Sequence, residues 1–104
     1  MNSNRKGKIG ERQLSHELTR LFGVKCRRGQ QFCGADGSAD VVGLPGIHCE
    51  CKRTNKLSAY KAMAQAVSDA EEGCVPVVFH RADRKEWLVI CRLDDLPQLV
   101  EELT

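Results

Sequence analysis

A chain of 104 residues, 41% hydrophobic and 29% charged, has the balance of one globular domain and excludes a disordered or fibrous protein and a second full-sized domain. No apolar run approaches the roughly 18 residues of a membrane-spanning helix and no charged-then-apolar leader opens the chain, so a soluble intracellular domain is expected. The net charge of +2 hides an asymmetry: residues 1–61 carry 12 Lys/Arg against 5 Asp/Glu, net +7, and residues 62–104 carry 4 against 9, net −5. A positive half suits a polyanion such as nucleic acid, and equally a dipolar surface that meets only water.

In chain order, the polar start predicts a flexible end over residues 1–5, followed by a helix from Lys8 to Phe22 stopped by Gly23. On a helical wheel Leu14, Leu18, Leu21 and Phe22 all fall within about 80° of Glu11. That carboxylate sits inside the apolar stripe, which is costly without a partner and tends to mark a site. Val24–Arg28 reads as a short strand and Gly29–Gly37 as a Gly-rich loop holding Gln30 and Gln31. A second strand, Ala39–Leu44, turns at Pro45-Gly46 into a third, Ile47–Arg53. Ser58 caps a helix to Glu72, closed by Gly73, with Tyr60, Met63, Val67 and Ala70 on its apolar face. Pro76–Arg81 and Glu86–Cys91 form a hairpin, and Asp94 or Asp95 caps a last helix with Pro97 in its first turn. The order α-β-β-β-α-β-β-α predicts an α/β fold, a mixed sheet flanked by helices.

Six cysteines invite a disulfide scaffold or a zinc site. The chain has neither a leader nor a C-x-x-C knuckle, so reduced core cysteines are the expectation.

The chemistry is concentrated in the third strand. A period of two puts His48, Glu50 and Lys52 on one sheet face and Ile47, Cys49 and Cys51 on the other, toward the core. An acid and a lysine two apart are common on any strand, as a weak surface pair. Here the tight hairpin also brings Asp40 near Glu50 and Lys52, and the first helix must pack its Glu11 on the same sheet. Converging carboxylates repel, so they make most sense around a hard cation, Mg²⁺ or Mn²⁺. Such an ion polarises a phosphodiester and lowers the pKa of a water, while Lys52 positions that water or offsets charge on the phosphate.

Asp40, nine residues, then Glu50-Cys51-Lys52 resembles the PD-(D/E)xK nuclease signature, and the element order resembles that fold's core. The opening Lys6-Gly7-Lys8-Ile9-Gly10-Glu11-Arg12 resembles the start of archaeal-type and phage Holliday junction resolvases, and the similarity runs over about residues 5–92. The resemblance implies a restriction-endonuclease-like core and a Mg²⁺- or Mn²⁺-dependent DNA endonuclease. It would act as a homodimer on four-way junctions in the cytoplasm of a bacterial, archaeal or phage-infected cell, with no membrane and no nucleotide cofactor. It implies catalytic Glu11, Asp40, Glu50 and Lys52, with the Cys51 carbonyl joining the three carboxylates at the metal. Ser38 stands near a serine some resolvases use, and Gln65 resembles a glutamine on the second helix of related nucleases, though it also reads as an exposed polar residue. Ala39 replaces the proline that normally precedes the aspartate, a residue that shapes backbone and supplies no chemistry. Asp36 is a rival acid in the same loop.

Arg5, Lys6, Lys8, Arg12, Arg27, Arg28 and Arg53 are candidates for phosphate contacts, or a solvated basic face; Gln30 and Gln31 are candidates for contacts to backbone or a distorted base, or loop filler. His48 is a candidate support for the site or a half-exposed strand residue, and His16, His80 and Trp87 are expected to be structural. Three other functions compete: the same nuclease fold acting on flaps, nicks or replication intermediates, a non-catalytic DNA-binding module, and a zinc-binding regulator.

Overall fold

Two seven-residue strands form the centre of the fold: β3, Ile47–Arg53, in which Ile47, Cys49 and Cys51 alternate with polar residues, and β4, Val75–Arg81, rich in valine. The computed structural model describes residues 3–29 and 39–104, with side chains from Lys6 onward. The helix α1, Ser3–Phe22, leads into β1, Arg27–Arg28, and β2, Val41–Val42, precedes β3. The helix α2, Ala59–Asp69, crosses from β3 to a parallel β4; β5, Leu88–Ile90, returns antiparallel, and a 3₁₀ turn at Leu93–Asp95 enters α3, Leu96–Glu102. The five-stranded mixed sheet has the order β1-β2-β3-β4-β5, so the two long strands lie in its interior and the shorter strands toward the edges. A radius of gyration of 12.8 Å matches the value of about 13 Å for a single compact domain of this length. No helix among the described residues is long and apolar enough to cross a membrane.

Helices cover both faces of the sheet, which explains why Val75 through Phe79 is buried without alternation. On one face Leu14 and Leu18 of α1 and Leu99 of α3 pack with Val41, Ile47, Cys49, Val77 and Phe79. On the other, Ala62, Met63 and Ala66 of α2 pack on Val78.

The eight predicted elements are all present, with different limits. The first helix begins at Ser3, so residues 3–5 are helical where a flexible end was expected. The first two strands shrink to two residues each. The second helix stops at Asp69, because Ala70 is already extended. Its buried face is Ala62, Met63 and Ala66, while Tyr60 is 93% exposed. Small alanines permit close approach to the sheet; of the large residues predicted to face the core, Met63 is buried while Tyr60 and Val67 are exposed.

Candidate active site

The β2–β3 hairpin builds the site from its backbone. Gly46 takes a φ of +77° in the turn, and Val41 pairs with Cys49, which sets Asp40 beside Glu50 across the ladder. Asp40 is then clasped three times by main chain: its amide donates to the Cys49 carbonyl (3.0 Å), its carbonyl accepts from the Gly29 amide (2.8 Å), and its Oδ2 accepts from the Cys51 amide (2.7 Å). The Gly29 contact requires glycine, since a Cβ there would lie 2.1 Å from the Ala39 carbonyl oxygen.

Asp40 and Glu50 are 8% and 3% exposed, side by side on adjacent strands. Burial first, then the Glu50 charge, pushes the Asp40 carboxyl up to about 7; the Cys51 amide opposes this, and Glu11 adds to the rise. Two carboxyl groups therefore occupy one dry place, and the Glu50 charge disfavours ionisation of Asp40. Behind them His48, 4% exposed, meets Glu50 Oε1 through Nε2 at 2.9 Å. Its burial corrects the expectation of a half-exposed residue: the parallel β3–α2–β4 crossover covers the face that alternation alone leaves open to solvent.

Glu11 has the partner its position demanded. Arg28 Nε donates to its Oε1 at 2.9 Å, so the carboxylate is close enough to act on Asp40 while turned toward a guanidinium. Among the described residues no group of three His, Cys, Asp or Glu side chains is already gathered to hold a metal. The donor chemistry of the Asp40–Glu50 pair nevertheless fits a hard divalent cation, since both side chains offer oxygen and both are buried side by side on adjacent strands.

Lys52 shares the Glu50 face of β3, and its Nζ donates to Gln65 Oε1 of α2 at 2.8 Å. Gln65, read from sequence as opposite the apolar stripe of its helix, thus reaches the site because the true buried face centres on its neighbours Ala62 and Ala66.

The basic residues do not form one patch. Lys8, Arg12 and Arg27 are exposed and Arg28 holds Glu11. Arg53 bonds Asp83 at 2.9 Å, and Lys6 lies 3.7 Å from the same carboxylate. A Cβ on Gly10 would lie 2.5 Å from that of Arg53, so the two elements meet there closely. The side chain of Arg5, and Gln30, Gln31, Asp36 and Ser38 entirely, lie outside the described residues. His80 bonds the Thr54 carbonyl at 2.8 Å and Trp87 packs against the core, as expected of structural residues. Cys26, Cys49, Cys51, Cys74 and Cys91 are free thiols, and burial above all pushes Cys49 up to about 12, which keeps it protonated and inert. No protein-family model, curated protein or solved structure matches the chain.

Proposed function

We propose that this protein is a divalent-metal-dependent DNA endonuclease with a PD-(D/E)xK core, acting as a Holliday junction resolvase. The observation that carries the reading is the buried Asp40–Glu50 carboxyl pair, with Lys52 two residues along the same strand and tied to Gln65. Fold position alone implies no activity, so the argument rests on these groups.

Asp40, Glu50 and the Cys51 carbonyl would hold Mg²⁺ or Mn²⁺, with Glu11 able to join once released from Arg28. Bound there, the ion would supply Lewis acidity to the phosphodiester and a lowered pKa to the attacking water. Asp40 is fixed by its three main-chain bonds, and His48 holds one Glu50 oxygen, so neither acid must reorganise for the reaction. Gln65 occupies only one of the three donors of Lys52, which leaves the ammonium able to orient water or to offset charge developing on the phosphate. A resolvase makes two symmetric nicks, and the described residues of one chain offer one such carboxyl pair, so the active form in this reading is a homodimer.

The test is nicking of a synthetic four-way junction in Mg²⁺ or Mn²⁺ by the wild type, Asp40→Asn and Glu50→Gln. Cutting by the wild type alone, with junction binding retained in both variants, is the expected result. Binding without cutting in the wild type would leave a non-catalytic DNA-binding module. Equal cutting of flaps or linear duplex would keep the nuclease and remove the junction preference.

A further inference from the structure

A basic groove runs along the side of α1, apart from the cations that gather around Asp83. Arg12, His16 and Arg20 are exposed at intervals of four, which aligns them along one side of the helix over about 12 Å. Opposite them the chain leaves Gly23 and climbs into β1, where Lys25 and Arg27 are exposed on either side of buried Cys26. Thr19 fixes the distance between the two walls. Its hydroxyl donates to the Ser15 carbonyl (2.8 Å) and accepts from the Cys26 amide (2.9 Å), while the Thr19 carbonyl accepts from the Gly23 amide (2.9 Å). The resulting depression of about 760 Å³ has Ser15, Thr19 and Cys26 beside its charged rim.

The charge is lopsided. Five Lys/Arg line the groove; Arg20 bonds Glu17 at 2.7 Å and Arg28 bonds Glu11 at 2.9 Å. Arg12 and Lys25 form no ion pair among the described residues, in contrast to Lys6 and Arg53, which share Asp83. The groove also leads to the carboxyl pair: Arg28 lines it and bonds Glu11, whose charge reaches Asp40.

We propose that the α1–β1 groove is a track for the sugar-phosphate backbone of duplex DNA, with Arg20 and Lys25 as phosphate contacts at the end remote from the carboxyl pair. The identity of the polyanion rests on the nuclease reading above. The roughly 12 Å from Arg12 to Arg20 spans between three and four base-pair steps of about 3.4 Å each, enough to seat consecutive phosphates of one strand. Such contacts are independent of sequence and of divalent metal, and they set the register in which a phosphodiester meets Asp40 and Glu50.

The experiment measures binding of fluorescent duplex and four-way-junction DNA in EDTA, across a salt series, for the wild type and three variants. Arg20→Gln/Lys25→Gln is expected to weaken binding roughly tenfold at 0.15 M salt and to lower the slope of log K against log salt by about 1.8. Lys85→Gln/Arg92→Gln removes the same charge elsewhere and stays within about twofold of the wild type, as does the charge-preserving Arg20→Lys/Lys25→Arg. Should the first variant melt early, Lys25→Gln alone is read, with a slope change of about 0.9. Wild-type affinity and slope in the groove variants, an equal loss in the control pair, or no duplex binding by the wild type would each overturn the proposal. Groove-dependent binding without metal-dependent nicking would sink the nuclease reading and leave the track standing, and nicking by a protein indifferent to the groove would do the reverse.

Discussion

Asp40 is an acid whose proton is held more tightly in the folded chain than in the unfolded one, since burial and Glu50 push it from 3.8 up to about 7. A group shifted in this direction contributes stability that is fully present below its unfolded value and lost as pH rises through its folded value. Without divalent ions, the melting temperature is therefore expected to fall between about pH 4 and pH 8. Asp40→Asn should flatten that fall, which thermal denaturation followed by circular dichroism in EDTA can check; a profile equally steep in the variant would locate the pH dependence elsewhere. At Lys52 the expectation is a division of labour. Lys52→Ala abolishes nicking with little loss of junction affinity, whereas Gln65→Ala, which only frees the ammonium to wander, slows nicking roughly ten- to hundredfold. Single-turnover rates alongside binding isotherms separate the two effects.

At the scale of elements, the site depends on how closely β1 approaches the chain at Ala39. Gly29→Ala sets a methyl against a backbone oxygen that cannot step aside, so a loss of about 1–3 kcal/mol is expected from overpacking, with nicking falling as Asp40 loses its Gly29 tie. Urea denaturation of Gly29→Ala, with the wild type in parallel, measures the first part. The same scale shows what could be read from sequence. β3 was legible to the residue, because a seven-residue strand between a Pro-Gly turn and a polar stretch has unmistakable limits. β1 and β2 were read too long, because two-residue strands leave almost no periodic trace. Glu11 stood out as an acid inside an apolar stripe, and Asp40, Glu50 and Lys52 through the tight hairpin that brings them together. The bond between Glu50 and buried His48 did not, since one strand cannot announce that a helix will cover its second face. The partner of Glu11 was foreseeable as a need and not as Arg28, because the two lie 17 residues apart.

Across the whole molecule, the carboxyl pair and the charge asymmetry act together. A divalent ion that replaces the Asp40 proton should raise the melting temperature, and by more at pH 8 than at pH 5, where protons compete for the same oxygens. No rise at millimolar Mg²⁺ or Mn²⁺ at either pH would count against a ready site. Two-fold association is a separate expectation. Val77 and Val78 are fully buried in the core, whereas Leu88, Val89, Leu93 and Val100 offer exposed apolar surface at the C-terminal end. Sedimentation equilibrium should return twice the 11.6 kDa of one chain, and a single-chain mass throughout the micromolar range would argue against the homodimer.

The three main-chain ties of Asp40 also make a statement about motion. Because they join the end of β1, the start of β2 and the middle of β3, the amides of Gly29, Asp40 and Cys51 cannot be released one at a time without disturbing the others. In hydrogen–deuterium exchange these three are expected to open as one unit, at a rate distinct from the interior of β4. Catalytic competence would then track that local opening, so conditions that loosen the sheet edge would disarm the protein well before it unfolds.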